Sequence, residues 1–201
     1  MSLIGLCGRS GSGKSECGQF IENMGFRVID SDRVYRSLTL TGSPMLRELT
    51  SHFGKNILDT NGGLDRKKLS EIVFDDDDKL ELLNRITHKR IIAAVLDWSA
   101  EVSAASTGGF AVVQAPLLFE SGLNEKCAIT VCVIAPEEDC IRRLVERDGL
   151  SREQAELRLK KQKSSEFLKR NCDYVIVNDS DIESLKKRTE QVFREILEVR
   201  K

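Results

Sequence analysis

The residues best suited to chemistry form a glycine-rich segment near the start of the chain, residues 8–15, with the sequence GRSGSGKS. This segment matches the pattern GxxxxGK[ST], in which glycines let successive backbone N–H groups approach phosphate oxygens. The lysine of such a loop, here Lys14, bridges the β- and γ-phosphates, and the next hydroxyl, here Ser15, is a ligand of Mg²⁺. The sequence therefore predicts a site for a nucleoside triphosphate with magnesium. The residues predicted to form it are Gly8, Arg9, Ser10, Gly11, Ser12, Gly13, Lys14, Ser15 and Glu16.

Two aspartates, Asp30 and Asp32, follow the second apolar segment of the chain. In a parallel sheet the carboxyl ends of the strands gather at one edge, and a phosphate-binding loop lies at the same edge. We predict that Asp32, at the more exposed end, accepts the proton of an acceptor hydroxyl during phosphoryl transfer. Its spacing equally allows Asp32 to cap a helix that begins at Arg33. The residues alone leave catalysis and capping open.

The loop by itself does not distinguish a kinase from a GTPase switch or an ATP-driven motor, since all three use it. A switch is disfavoured because the sequence contains no NKxD segment of the kind that reads guanine. A basic, lid-like region later in the chain favours group transfer instead.

The elements that must position these residues are five short apolar segments rich in β-branched residues, which predict five buried strands. Segments with helical periodicity separate them, which is typical of a parallel sheet covered by helices on both faces. We therefore predict an α/β fold with a three-layer core. The predicted strands are 3–7, 27–29, 110–113, 129–134 and 174–177.

The spacing of these strands predicts three regions: a core of residues 1–32, 110–136 and 171–201, a helical insertion at 33–109, and a helical lid at 137–170. The longest helix of the insertion is predicted to start near Asp78. The acidic run 75–78 either caps that helix or has a metal-related role. In the lid, a capping box at residues 151–154 predicts a helical hairpin with more basic than acidic residues.

Composition narrows the class of protein. The 201 residues include 31 Lys and Arg against 32 Asp and Glu, a net charge of -1 that disfavours a general nucleic-acid binder. The six cysteines form no CxxC pair, and the two histidines are not spaced with them as zinc ligands. No apolar run approaches the roughly 20 residues that cross a membrane. We expect a cytoplasmic protein with reduced thiols, no membrane segment and no obligate protein partner.

Further segments make nearly the whole chain resemble the dephospho-CoA kinase family. The loop alone fits many enzymes, but the ordered set of motifs is specific. The resemblance implies a P-loop kinase core with a five-stranded parallel sheet, an acceptor-binding insertion and a lid. The segments that carry it are 28–32 (VIDSD), 64–66 (LDR), 83–88 (LNRITH), 115–120 (APLLFE), 143–148 (RLVERD), Gln154, Gln162 and 172–178 (CDYVIVN).

The family transfers the γ-phosphate of ATP to the ribose 3′-hydroxyl of dephospho-CoA, giving CoA and ADP, the last step of CoA synthesis. By this resemblance the partners are ATP with Mg²⁺ and dephospho-CoA, and Asp32 and Lys14 are catalytic. The alternative is a P-loop kinase for another nucleotide or small hydroxyl compound. The other residues implied are Arg143, Arg147 and Asn178 for ATP, Ser15 for magnesium, and Asp32, Arg66 and His88 for the acceptor.

Several of these residues also have simpler interpretations. Arg143 and Arg147 could lie on a solvated helix face. His88 could be a structural residue of a mostly buried helix. Glu120, at the carboxyl edge of the sheet, could order either water or a loop.

The sequence departs from common family patterns at three positions. Gln114 stands where many members have Asp, Lys89 where Pro often follows the histidine, and Arg9 lies within the loop. A neutral Gln114 cannot supply the charge with which an aspartate contacts Mg²⁺ through water, which leaves the outer metal shell open. We expect the Arg9 side chain to face outward.

Overall fold

In the computed structural model, which describes residues 3–105 and 110–199, the core is a parallel sheet with the strand order β2-β3-β1-β4-β5. The predicted α/β class and all five predicted strands are confirmed, three of them with bounds that differ by one residue. The strands are β1 (Leu3–Gly8), β2 (Arg27–Asp30), β3 (Ala111–Gln114), β4 (Ile129–Ile134) and β5 (Tyr174–Val177).

Helices connect the strands along the chain. Short 3₁₀ turns occur at Lys55–Ile57 and Leu123–Lys126. The helices are α1 (Lys14–Asn23), α2 (Ser31–Leu38), α3 (Pro44–Phe53), α4 (Arg66–Val73), α5 (Asp77–Ala105), α6 (Glu137–Asp148), α7 (Arg152–Lys160), α8 (Ser165–Asn171) and α9 (Ile182–Glu198).

Strand β1 lies at the centre of the sheet and is buried along its whole length, because both of its faces are covered. Alternate side chains point to opposite faces of a strand. Ile4 and Leu6 pack with α1 and α9 in a core that includes Phe193. On the other face, Gly5 lies against Leu118 and Cys127. The strand therefore delivers the loop that follows it from a fixed position.

The chain divides into two compact units, one formed by Met1–Ile29 and Glu101–Lys201 and the other by Asp30–Ala100. The first contains most of the sheet with α1 and α6–α9. The second has its own core, built mainly from α3, α4 and the start of α5. The division into core, acceptor insertion and lid stays a prediction. Residues 1–2, 106–109 and 200–201 of the predicted regions lie outside the described residues.

Two predicted helix starts are confirmed by their capping contacts. Helix α5 begins at Asp77, and the Asp76 carboxylate accepts the N–H of Lys79 at 3.0 Å. The acidic run therefore caps this helix. At α7, Ser151 and Gln154 form the expected reciprocal capping box. Within residues 3–105 and 110–199, no helix has both the length and the apolar character to cross a membrane.

Candidate active site

The phosphate-binding loop has a backbone that only glycine adopts readily. Gly11 and Gly13 have φ values of 80° and 95°, in the left-handed region. Side chains at these positions would also lack space, since a Cβ on Gly11 would lie 2.6 Å from the carbonyl oxygen of Cys140 and one on Gly13 would meet the amide of Asn178. The glycines are therefore required by both conformation and packing.

Helix α1 starts at Lys14, immediately after this loop. Its N-cap is Gly13, and among the described residues no side chain caps the helix. The first N–H groups of a helix have no partner within the helix and carry its positive dipole end. With Ser15 and Glu16 exposed in the first turn, this end of α1 has the properties of an anion site.

Asn178 supports the loop from within the protein. It is 5% exposed, and its side-chain Nδ2 donates to the carbonyl oxygen of Ser12 at 2.8 Å. Its own N–H donates to the carbonyl of Ile134 at 2.7 Å. The structure thus brings Asn178 to the loop backbone, and its contact with a nucleotide stays a prediction.

The two lid arginines differ in their surroundings. Arg143 is half-buried and donates from Nη1 to the carbonyl of Gly11 at 2.9 Å, so the solvated-face interpretation is wrong for it. Arg147 is exposed and pairs with Asp148 at 2.7 Å, which raises the pKa of the guanidinium. Only the first of these two contacts reaches the loop.

The sequence led us to expect that the Arg9 side chain faces outward, and this prediction is wrong. Its side chain is 10% exposed and donates to a carboxylate oxygen of Glu137 at 2.6 Å and to the carbonyl of Leu159 at 3.1 Å. These acceptors, a carboxylate and a backbone carbonyl, lie at the start of α6 and near the end of α7. Arg9 therefore ties the loop to the hairpin, a contact that local spacing could not reveal.

Gln162 is a loop partner to which sequence reasoning gave no role of its own. Its Oε1 accepts the N–H of Ser10 at 2.9 Å, and its Nε2 donates to the Ser10 hydroxyl at 3.2 Å. One side-chain amide therefore binds both the N–H and the hydroxyl of Ser10. Gln162 was among the residues that carry the family resemblance. Its contact with Ser10 was not predictable, because it depends on the conformation of the segment between α7 and α8.

Gln114 packs against a glycine inside α1. It ends β3, is 9% exposed, and would collide with a Cβ placed on Gly18. Glycine within a helix costs about 1 kcal/mol relative to alanine, so its presence at position 18 indicates a need for space. A mid-helix glycine was the signal from which this contact could have been found.

The basic hairpin uses much of its charge internally. Arg152 pairs with Glu138 and Glu156, and Arg158 pairs with Asp148. A hydrogen bond from Arg152 lowers the pKa of Glu138, and one from Arg147 lowers the pKa of Asp148. The excess of basic residues in the sequence therefore overstates the positive charge available to a ligand.

Glu120 orders a loop. One of its carboxylate oxygens accepts the N–H of Lys163 at 3.4 Å, and the neighbouring Phe119 packs edge-on against Phe167 with ring centroids 5.4 Å apart. Of the two interpretations left open by the sequence, the structure supports this one.

In the second unit, the two aspartates have separate positions. Asp30 is the N-cap of α2, and its carboxylate accepts the N–H of Asp32 at 2.8 Å. Asp32 lies in the first turn and is exposed. The capping interpretation is therefore wrong for Asp32, because Asp30 fills that position.

The predicted acceptor residues Arg66 and His88 also lie in this unit. Arg66 opens α4, and its guanidinium lies 5.4 Å from the centroid of the Tyr35 ring. Burial raises the pKa of the Tyr35 hydroxyl. His88 is half-buried on α5. Sequence reasoning missed Tyr35, because nothing in its spacing links it to a residue 31 positions later.

Comparisons with known proteins agree with the motifs. A family model described as dephospho-CoA kinase matches residues 2–184. The dephospho-CoA kinase of Fusobacterium nucleatum is 39% identical over 189 residues, covering 94% of this chain and 95% of that protein. That of Aquifex aeolicus is 37% identical over 196 residues, covering 98% of each.

A solved structure is similar along the same length. The dephospho-CoA kinase from Campylobacter jejuni has a TM-score of 0.73 at 28% identity, covering 99% of this chain and 98% of that one. The match thus extends through the loop, the region of the second unit and the hairpin. With the family model and these relatives in agreement, the chain belongs to the dephospho-CoA kinase family.

Proposed function

We propose that the chain transfers the γ-phosphoryl group of ATP to the ribose 3′-hydroxyl of dephospho-CoA, giving CoA and ADP. Membership of the family supports the reaction and the acceptor. The structural observation that carries the proposal is the phosphate cradle, in which left-handed glycines at positions 11 and 13 lead into the uncapped start of α1.

On the ATP side, we assign the β- and γ-phosphates to Lys14 and to the N–H groups of the loop. Arg143 and Arg147 would supply further positive charge. In this structure they bind a carbonyl oxygen and a carboxylate, and a triphosphate offers stronger charge-assisted hydrogen bonds than the carbonyl. Glu16 and Asn178 complete the proposed ATP contacts.

On the acceptor side, we assign Asp32 as the group that accepts the hydroxyl proton as the oxygen attacks phosphorus. Its exposure and its freedom from the capping role support this assignment. Arg66, an exposed cation at the start of α4, would bind anionic groups of the acceptor, and His88 would orient it.

The residues fit a magnesium ion held mainly by phosphate oxygens. Ser15 supplies an exposed hydroxyl at the start of α1, whereas Gln114 is neutral. Within the described residues, no group of three or more His, Cys, Asp or Glu could hold a metal, and Mg²⁺ commonly binds through few protein ligands plus substrate phosphates. When bound, the ion would neutralise phosphate charge. We also propose a reducing compartment such as the cytosol, because all six cysteines are free thiols.

An acceptor panel tests this proposal. Purified protein would be incubated with Mg-ATP and dephospho-CoA, 3′-deoxy-dephospho-CoA, nucleoside monophosphates or gluconate, with ADP and phosphorylated product measured. We expect product from dephospho-CoA and none from its 3′-deoxy analogue, and Lys14→Ala should remove most of the activity. Strong preference for another acceptor would overturn the proposal and favour a different P-loop kinase.

A further inference from the structure

Three cysteine side chains meet on one face of the sheet, directly beneath the phosphate-binding loop. Cys7 of β1 is opposite Cys132 of β4 in the strand register. Cys172, which follows α8, has its Sγ 3.6 Å from the Sγ of Cys7, although the two residues are 165 positions apart. Cys7 and Cys132 are buried, and Cys172 is only half-buried. Cys172 is therefore the most exposed member of the cluster.

The environment favours the thiolate form of Cys172 over that of the two buried thiols. Hydrogen bonds from Cys132 and Cys7 lower the pKa of Cys172, although the nearby Asp173 opposes this effect. The same bonds raise the pKa of Cys7 and Cys132. A thiolate is the nucleophilic form of cysteine, so Cys172 combines charge with access, as oxidation-sensitive cysteines do.

The geometry also provides a second thiol for Cys172. A disulfide bond is about 2.05 Å long, so the sulfurs of Cys7 and Cys172 must approach by about 1.5 Å. Cys172 is the C-cap of α8 and has an extended backbone, with φ -100° and ψ 148°, outside the regular helix. Its N–H donates to the carbonyl of Leu168 at 3.0 Å, so the required shift concerns only the last turn of α8.

We propose that Cys172 is a site of oxidation by hydroperoxides and that Cys7 resolves the oxidised product as a disulfide. The Cys172 thiolate attacks hydrogen peroxide, an S–O bond forms as the O–O bond breaks, and hydroxide leaves. The sulfur of Cys7 then attacks the Cys172 sulfenic acid, an S–S bond forms, and water leaves with the proton of the Cys7 thiol. In total, two thiols and one peroxide give one disulfide and two waters.

The cluster favours the second step because oxidation removes the thiolate charge from Cys172. That charge is bound by the hydrogen bond that raises the pKa of Cys7. Once it is gone, the Cys7 thiol can lose its proton more readily and act as the resolving nucleophile. The proposal concerns a modification site and does not depend on the identity of the kinase acceptor.

Peptide mass spectrometry of the full chain tests the proposal. The protein would be treated with dilute hydrogen peroxide, blocked with N-ethylmaleimide and digested. We expect a Cys7–Cys172 disulfide peptide that dithiothreitol removes. In Cys7→Ser the second step is blocked, so dimedone should trap Cys172 as its sulfenic acid several-fold more than in the unmodified sequence.

Cys127→Ser is the matched control, because Cys127 is also half-buried but donates to the carbonyl of Leu123 instead. This variant should form the Cys7–Cys172 disulfide at the rate of the unmodified sequence. Oxidation of Cys127 before Cys172 would overturn the proposal. A Cys132–Cys172 disulfide in place of the expected one would overturn the assignment of Cys7.

Discussion

At the scale of single residues, neighbouring side chains of the same type have different tasks. Asp30 and Asp32 are two positions apart, yet the carboxylate of the first binds the backbone of α2 and the second is exposed in its first turn. A helix needs one N-cap, and Asp30 fills that position, so Asp32 is not needed as the cap. Asp30, which ends β2, thus has a structural task, and Asp32, the second residue of α2, is the one we propose for catalysis.

Replacing Asp32 tests that separation. We expect Asp32→Asn to lower kcat by about 10²- to 10⁴-fold, because the amide cannot accept the proton of the attacking hydroxyl. ATP affinity, measured by calorimetry, should change little. Asp30→Asn is the control, since asparagine caps helices as well as aspartate does and most turnover should remain. Equal losses in the two variants would contradict the assignment.

The contact between Gly18 and Gln114 gives a second prediction at this scale. Alanine is normally the better helix former, but Gly18→Ala should lower the free energy of unfolding by about 1 to 3 kcal/mol through collision with the Gln114 amide. Urea unfolding measures the change. Gln19→Ala, at an exposed position of α1, should be nearly neutral. In a Gln114→Ala background the cost of Gly18→Ala should fall, and an unchanged cost would argue against the contact.

The thiols give a prediction for pH dependence. Hydrogen bonds from Cys132 and Cys7 lower the pKa of Cys172, whereas burial raises the pKa of Cys127 to about 12. At pH 6, Cys127 is protonated and Cys172 has the larger thiolate fraction. Iodoacetamide should therefore label Cys172 many times faster at pH 6, as measured by peptide mass spectrometry. Comparable labelling of the two residues would contradict the lowered pKa.

At the scale of elements, the strands were predictable because each is a short, buried, β-branched run with its own local signal. The start of α5 and the capping box of α7 were predictable for the same reason, since capping depends on residues three positions apart. Contacts such as Arg9 to Leu159 were not predictable, because they join residues 150 positions apart. Their formation depends on where folding places α6 and α7.

Arg9 provides the prediction for elements, since its side chain joins the loop to α6 and α7. Arg9→Ala should lower the free energy of unfolding by about 1 to 3 kcal/mol, because it removes the hydrogen bonds of a largely buried guanidinium to Glu137 and to the carbonyl of Leu159. It should also raise the KM for ATP. Arg152→Ala is the control, since it removes only exposed ion pairs within the hairpin, and such pairs contribute about 0 to 1 kcal/mol. Equal effects in the two variants would contradict a structural role for Arg9.

At the scale of the whole molecule, the chain contains two units with separate cores. The sequence indicated the long insertion between β2 and β3 from its length and helical patterns. It did not indicate the boundary at Asp30, because the capping contact of that residue ties it to the helix that follows it rather than to the strand. Separate cores allow separate opening of the units.

Leu49 tests this independence, since it is fully buried in the core of the second unit. Leu49→Ala should lower the free energy of unfolding by about 2 to 5 kcal/mol, and it should speed amide hydrogen exchange in residues 30–100. The amides of β1 and β4 should keep their protection. Leu144→Ala, at a fully buried position of α6, is the matched change in the first unit. Faster exchange throughout the chain in Leu49→Ala would show that the units open together.

The amide of Gln162, which binds Ser10, also acts as an internal competitor for the loop. An anion that uses the Ser10 N–H must displace a neutral group of the protein itself. The measured affinity then equals the intrinsic affinity multiplied by the fraction of molecules in which this bond is open. A triphosphate recovers the loss through its many other contacts, whereas a single phosphate ion has few. We therefore expect the loop to favour long, highly charged anions over inorganic phosphate.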